Sequence, residues 1–313
     1  MFEASASSLW QNPGVDTAGY LRAFGSILRL RGLAQSDTVF RFAAVPVATL
    51  ELPDPGAALD AASKPLAQRN VFVPPLVLVA AGLLLRRGAD PGNAAEAVAD
   101  ARVRLREAGL PAGRIGDTLA ALLLHLARRA KDASVLERMK SIQSGWKHDH
   151  RWLTGVDDLP LAALHALGTE STEEVAGRTE EAFQALKARG YWSTNELQLT
   201  AQMAALLAAP PAEAVRRFDI LMGALRDHAI GFAPLRPVPV MLLALAAAPP
   251  ADMARALADT HAALLAARPA PFTGEAFSIA ALLAADGNAG TGPLTLDAMT
   301  VLLAADEGGC GDS

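Results

Sequence analysis

The sequence has 313 residues, 51% of them hydrophobic and 19% charged, with a formal net charge of −5. A chain of this size and composition can bury a large core, and its weak negative charge offers no basic field that would attract nucleic acid. Its only cysteine, Cys310, excludes an internal disulfide, and the opening residues lack the basic and apolar regions of a signal peptide, so we expect a cytoplasmic protein.

The first part of the chain, residues 1–70, is predicted to be an N-terminal helical cap. Within it, the segment around Phe40 has the β-branched residues of a strand, but Pro46 argues against the interior of a sheet. Residues 71–85 are the most membrane-like run, yet they fall short of the about 18–20 apolar residues that a membrane span needs. We therefore interpret this run as a buried helix and expect no membrane partner.

Amphipathic helices follow, each with its own start and stop signals. Asp90-Pro91 is typical of a helix start, and S-x-x-E capping boxes begin at Ser134, Ser171 and Ser193. Behind each start, apolar residues recur at the helical period, and Trp146 continues the stripe that follows Ser134, so we expect it to pack inward. The predicted helices with the strongest signals lie near 91–108, 172–189, 194–208 and 212–228.

The helix starts recur at an interval of about 80 residues, and the order of apolar and amphipathic helices recurs with them. This pattern predicts an all-α fold of about three four-helix units of roughly 80 residues, stacked as a solenoid or an open toroid. The units are expected near 71–152, 153–233 and 234–305. A flexible tail, 306–313, completes the predicted organisation.

Two segments carry a resemblance to a known family. The stretches "WLTGVDDLPLAALHAL" and "STNELQLTAQ", preceded by "FVPPLVLVAAGLLL", resemble the uncharacterised bacterial family that is catalogued as domain of unknown function 4003. The matching positions are Leu153, Thr154, Asp157, Asp158, Asn195, Leu197 and Gln198. The resemblance supports the helical fold and implies no particular chemistry.

The segment 145–160 concentrates Trp, His and Asp in a chain that is otherwise rich in Ala and Leu. Asp158 is expected to cap a helix that begins at Leu159, and Asp157 would add favourable charge at the same helix end. If the preceding helix ends at Gly145 or Trp146, His148, His150 and Asp157 could converge on a divalent metal. Asp157, Asp158 and His150 are then the candidate catalytic residues.

A second candidate region surrounds the motif "GYWSTNELQLTAQ". Aromatic rings beside exposed amides could form the wall of a small binding pocket. The candidate ligand-binding residues are Trp152, Tyr191, Trp192, Asn195 and Gln198. Three other histidines, His125, His165 and His261, lie in apolar helical runs and are interpreted as core residues.

No phosphate-binding loop, dinucleotide fingerprint, nucleophile elbow or zinc-protease motif is present in the sequence. The leading hypothesis is a helical-repeat scaffold that binds a protein or peptide partner without catalysis. The alternative is a metal-dependent enzyme or small-molecule binder with a site in the 146–158 loop.

Overall fold

The structure is a computed structural model, and it describes residues 17–33, 36–151, 153–191, 194–230, 236–286 and 292–307. These residues form helices and connecting turns, with no β-strand among them. None of the helices in this part of the chain is both long enough and apolar enough to cross a membrane. The prediction of an all-α fold is confirmed.

Fifteen α-helices, numbered in chain order, are present in the described residues. They are α1 (Thr17–Ile27), α2 (Asp37–Val47), α3 (Pro55–Arg69), α4 (Pro74–Arg86), α5 (Pro91–Glu107), α6 (Gly116–Leu126), α7 (Ala133–Asp149), α8 (Leu159–Ala166), α9 (Thr172–Lys187), α10 (Asn195–Ala204), α11 (Pro211–Asp227), α12 (Pro237–Ala244), α13 (Pro250–Ala266), α14 (Thr273–Ala285) and α15 (Pro293–Glu307).

The helices divide into an inner and an outer layer according to their residue pattern. The even-numbered helices α2 to α14 are the inner layer, and α8 and α12 bury every one of their residues. The odd-numbered helices α1 to α13 are the outer layer, and they bury a single stripe, as α9 does with Val175, Thr179 and Leu186. A helix that is apolar all round needs neighbours on every side, whereas an amphipathic helix can face water.

The two ends of the inner layer meet. Helix α2 packs against α4 on one side and against α14 on the other, and α15 contacts α2, α4, α6, α8 and α14. A solenoid or open toroid, as expected from the sequence, would leave a free edge at α2, and these contacts occupy that edge. A buried ion pair joins the two helices, because Arg41 of α2 lies 2.9 Å from the carboxylate of Glu275 of α14.

The inner helices α8, α12 and α14 run in the same direction, and α15 runs against them. The starts of α12 and α14 lie beside the end of α15, because Arg236 contacts both Gly274 and Glu307. At the opposite side, Leu164 near the end of α8 lines one cavity together with Pro293, the first residue of α15. We call the side on which the inner helices begin the N-terminal face.

Three outer-layer arginines recur at intervals of about 40 residues and bind equivalent carbonyls. Arg138 donates to the carbonyl of Glu170 at 2.8 Å, Arg178 to that of Ala209 at 2.8 Å, and Arg217 to that of Ala248 at 2.7 Å. Each acceptor lies just beyond the end of an inner helix, where backbone carbonyls have no helical partner. The arginines therefore fix each inner helix end to the outer helix that precedes it.

Replacing Arg217 with alanine should lower the free energy of unfolding by about 1.5–3 kcal/mol, because its guanidinium group also binds the carbonyls of Ala244 and Ala246. The adjacent Arg216 is a matched control, since it is exposed and makes only a surface ion pair with Glu213. Its replacement should cost less than about 1 kcal/mol in the same urea titration. Equal losses for the two variants would contradict the capping role of Arg217.

The four helices predicted with the strongest signals are confirmed, with bounds of 91–107, 172–187, 195–204 and 211–227. Asp90 and Ser171 cap their helices as expected, through bonds to the backbone N–H groups of Asn93 and Glu174. The prediction of a capping box that begins at Ser134 is wrong. Asp132 is the N-cap of α7, because its carboxylate accepts from the backbone N–H and the hydroxyl of Ser134. Ser193 lies outside the described residues, and the N-cap of α10 is Thr194, whose hydroxyl accepts from the backbone N–H of Leu197 at 3.1 Å, so the box predicted to begin at Ser193 is also wrong.

Candidate functional site

The predicted metal triad is not assembled. Helix α7 continues to Asp149, so His148 lies exposed in its last turn, and His150 follows as the C-cap. The Nε2 atom of His150 lies 2.6 Å from a carboxylate oxygen of Glu180, and the ring packs 4.0 Å from that of Phe183. These contacts direct His150 towards the outer helix α9.

Asp157 is exposed in the short turn before α8. Within the described ranges, no group of three or more His, Cys, Asp or Glu side chains is arranged to hold a metal ion. The structure therefore does not bring His148, His150 and Asp157 together. The metal hypothesis needs α7 to end at Gly145 or Trp146, whereas α7 continues to Asp149.

Asp158 does not cap α8, and that prediction is wrong. A turn of 3-10 helix, residues 156–158, precedes α8, so Asp158 already has helical backbone angles and makes no side-chain cap bond. Its carboxylate instead accepts from the backbone N–H of Gly155 at 2.7 Å. The side chain thus points back along the chain and away from the N–H groups of α8.

Two glutamines of α10 complete the surroundings of Asp158. The Nε2 atom of Gln202 donates to the Asp158 carboxylate at 2.6 Å, and that of Gln198 donates to it at 3.2 Å and to the Thr154 hydroxyl at 2.8 Å. All three side chains of this carboxylate–amide cluster, Asp158, Gln198 and Gln202, are buried. The side-chain oxygens of both glutamines have no hydrogen-bond partner among the residues that the structure describes.

Burial raises the pKa of the Asp158 carboxyl to about 6, although the N–H groups of Gly155, Gln202 and Gln198 oppose this shift by stabilising the charged form. The folded protein therefore holds a proton on Asp158 at a pH where the unfolded chain has released it. This carboxyl group lowers the stability of the fold as the pH rises from about 4 to about 6.

Replacing Asp158 with asparagine removes this titration. Relative to the unaltered protein, the variant should gain up to about 3 kcal/mol of unfolding free energy between pH 4 and pH 7, since the shift is about two pKa units. Urea titrations at the two pH values measure the difference. A variant whose free energy of unfolding differs from that of the unaltered protein by the same amount at both pH values would contradict the assignment.

The prediction for Trp146 is confirmed. The side chain is 1% exposed, its indole N–H donates to the Thr179 hydroxyl at 3.1 Å, and its ring meets that of His165 edge-on at 5.7 Å. His165 is a core histidine as expected, with Nε2 2.9 Å from the carbonyl of Gln202. Burial lowers the pKa of His165 to about 4, so the ring is neutral at pH 7 and Nε2 donates.

The other candidate ligand-binding residues do not form one pocket wall. Trp152 and Trp192 lie outside the described residues. Tyr191 is half-buried, and its ring packs 5.7 Å from that of Phe218 in the outer layer. Asn195 is exposed at the start of α10, whereas Gln198 belongs to the buried cluster around Asp158.

A second group of polar side chains lies on the N-terminal face, where the inner helices α10, α12 and α14 begin and α15 ends. Arg236 lies 2.6 Å from a carboxylate oxygen of Glu307 and 3.4 Å from one of Asp306. The hydroxyl of Ser278 donates to the same Glu307 carboxylate at 3.0 Å. We refer to Glu196, Arg236, Asp306 and Glu307 as the acidic cluster.

Glu196 has no ion pair or side-chain hydrogen bond with any residue that the structure describes. Desolvation by the surrounding protein raises its pKa to about 7, and the charge of Asp306 adds to this shift while Arg236 opposes it. Because the side chain itself is exposed, a ligand can reach it. The cluster contains three carboxylates and one cation, so its local charge is negative.

Phe272 lies close to this cluster and is the most exposed large apolar side chain of the described residues, at 81%. It immediately precedes α14, and its backbone N–H donates to the Glu275 carboxylate at 3.3 Å. Gly274, two residues further on, lies so close to Arg236 that a Cβ atom there would stand 2.8 Å from the guanidinium group. The N-terminal face therefore carries both an exposed aromatic ring and the acidic cluster.

Comparison with known proteins identifies the family of the chain. The model of a family described as "Protein of unknown function (DUF4003)" matches residues 73–259, which is more than half of the chain. The chain belongs to the DUF4003 family. No curated protein and no solved structure matches the chain.

Three of the positions that carried the resemblance to DUF4003 in the sequence lie in contact. Thr154 and Asp158 come from the first short motif and Gln198 from the second, and hydrogen bonds join them. Sequence reasoning missed Gln202, whose spacing of four residues from Gln198 places both on one helix face. It also missed Arg236, Phe272, Asp306 and Glu307, for which no local pattern gave a signal.

Proposed function

We propose that this DUF4003 protein is a non-catalytic scaffold that binds a protein or peptide partner on its N-terminal face. The bound segment carries a positive charge next to an apolar side chain. The observation that carries the proposal is the 81% exposure of Phe272 on a face that also holds the acidic cluster. Aromatic residues are enriched in protein interfaces, and an exposed ring can serve as an anchor for a partner.

The charge of the cluster supports a basic partner. Glu196 has no cation of its own, and Arg236 is shared between Asp306 and Glu307. A lysine or arginine of a partner would neutralise Glu196 and restore its full ionisation, because a nearby cation favours the carboxylate. The same negative charge disfavours nucleic acid, in line with the net charge of −5.

The scaffold in this proposal is a helical repeat whose unit is one outer and one inner helix. The recurrence of Arg138, Arg178 and Arg217 supports a unit of about 40 residues, of which two make the 80-residue period. The contacts of α2 with α4 and α14 support placing residues 37–70 within the same ring, in place of a separate cap. Because α15 lies against the inner layer, the N-terminal face is a more accessible surface than the ring interior.

Panning a phage-displayed library of random 12-residue peptides against the purified protein tests the proposal. We expect enriched peptides that combine Lys or Arg with an apolar residue, and at least tenfold weaker binding of these peptides to Phe272→Asp and Glu196→Gln variants. Val103→Ala and Glu181→Gln change exposed residues of the same kinds on outer helices, so they are the matched controls. Failure to enrich any such peptide, or equal binding to all variants, would overturn the proposal.

A further inference from the structure

A groove on the outer surface lies between α5 and the turn that joins α6 to α7. Its volume is about 530 Å³, enough for a molecule of the size of an amino acid or a short peptide. One wall is α5, with Glu96, Asp100 and Arg104, and the other contains Arg128 and Lys131. The groove is distinct from the N-terminal face, because the turn follows the end of α6.

The charges that line this groove are not matched to one another. Arg104, Arg128, Lys131 and Asp100 make no ion pair or side-chain hydrogen bond with any residue in the described part of the chain. Glu96 has only a distant cation, Arg69 at 3.9 Å. Carboxylates and cations thus line the same space without neutralising each other, and a ligand that carries both charges could bind both kinds of group.

The backbone of Arg128 is a second, independent observation. Its φ is +58°, a left-handed conformation that side chains with a Cβ atom adopt at an energetic cost. At the corresponding position after α4 and α5, the chain has Gly88 and Gly109, which adopt it freely. The chain thus places an arginine that lines the groove at a position where glycine would be less strained.

The floor of the groove is suited to an aliphatic body. Ala97, Ala101 and Ala130 line it, together with the half-buried ring of His125. Burial lowers the pKa of His125, so its ring is neutral at pH 7 and contributes a hydrogen-bonding group without charge.

We propose that this groove binds a small zwitterion of the amino-acid or short-peptide class. The carboxylate of the ligand lies against Arg128 and Lys131, the ammonium group against Asp100, and the aliphatic part over the alanines. A simple anion would leave the carboxylates Glu96 and Asp100 without a partner, and a simple cation would face three unpaired cations. Both walls are neutralised only when the two charges are carried by one molecule.

Calorimetric titration of the full chain with the twenty common amino acids and with alanyl-alanine tests this inference. Sodium acetate and methylammonium chloride are the single-charge probes. At least one zwitterion should bind at least tenfold more tightly than either of them. Absence of binding by every zwitterion in the panel, or equal binding of acetate, would overturn the proposal.

Two variants locate the site without endangering the fold. Arg128→Gly removes the guanidinium group and relieves the left-handed strain, so it should weaken binding at least tenfold while the melting temperature is maintained or raised. Asp100→Asn should weaken binding of the zwitterion and should not weaken binding of acetate. Ala229→Gly is the matched control, because Ala229 is also left-handed, with φ +60°, and lies after α11, away from the groove. Loss of binding in Ala229→Gly, or its retention in Arg128→Gly, would contradict the assignment.

Discussion

Replacing Arg41 with methionine is expected to lower the free energy of unfolding by about 3–5 kcal/mol, because it leaves the carboxylate of Glu275 buried without a cation. The two side chains are 5% and 2% exposed and lie 2.9 Å apart. Arg41 also donates to the carbonyl of Ala270 at 3.2 Å and lies over the ring of Phe24. Urea denaturation measures the loss.

The double variant Arg41→Met, Glu275→Leu removes both charges, and it should lose much less stability than the single variant. Arg255→Met is the matched control, because Arg255 pairs with Asp252 on the surface and should contribute less than about 1 kcal/mol. If Arg41→Met loses no more than Arg255→Met, the pair does not hold α2 against α14.

Replacing Trp146 with alanine should lower the free energy of unfolding by about 3–5 kcal/mol, since it opens a cavity between α7, α8 and α9. The side chain is fully enclosed, and its removal also leaves the Thr179 hydroxyl without the indole N–H as a donor. Thermal and urea unfolding of the purified variant measure the effect.

Trp146→Phe separates the two contributions. It retains most of the ring volume but loses part of the indole and the hydrogen bond to Thr179, so its loss should be smaller than that of the alanine variant. Val103→Ala, at an exposed position, should change the free energy of unfolding by less than about 0.5 kcal/mol. A loss below about 1 kcal/mol for Trp146→Ala would mean that the α7–α8 junction is not a packed core.

The helices whose bounds the sequence predicted are those with local signals. Asp90 and Ser171 cap α5 and α9 through backbone N–H groups only three residues away. The same short segment therefore predicts both the cap and the start of the helix. Trp146 follows the same logic, because the period of its apolar stripe determines which side of α7 is buried.

Asp158 shows why such reasoning fails at the candidate site. An aspartate before Leu-Pro has the chemistry of an N-cap, yet its carboxylate binds Gln202, 44 residues further along the chain. The preceding 3-10 turn changed the direction of the side chain, and no residue spacing encodes that turn unambiguously. The family motifs marked Thr154, Asp158 and Gln198 as special without indicating that they are in contact.

The amino-acid pattern by itself determined the all-α class, the alternation of apolar and amphipathic helices and the inward position of Trp146, because each follows from interactions within a few turns of one helix. The tertiary structure alone decided that α2 meets α14, that Glu196 lies in the field of Asp306 and Glu307, and that Asp100 and Arg128 line one groove. These groups are brought together by the packing of helices that are remote in the chain. The strength of their interaction depends on the distance between the charges, and the periodicity of residues along one helix does not determine that distance.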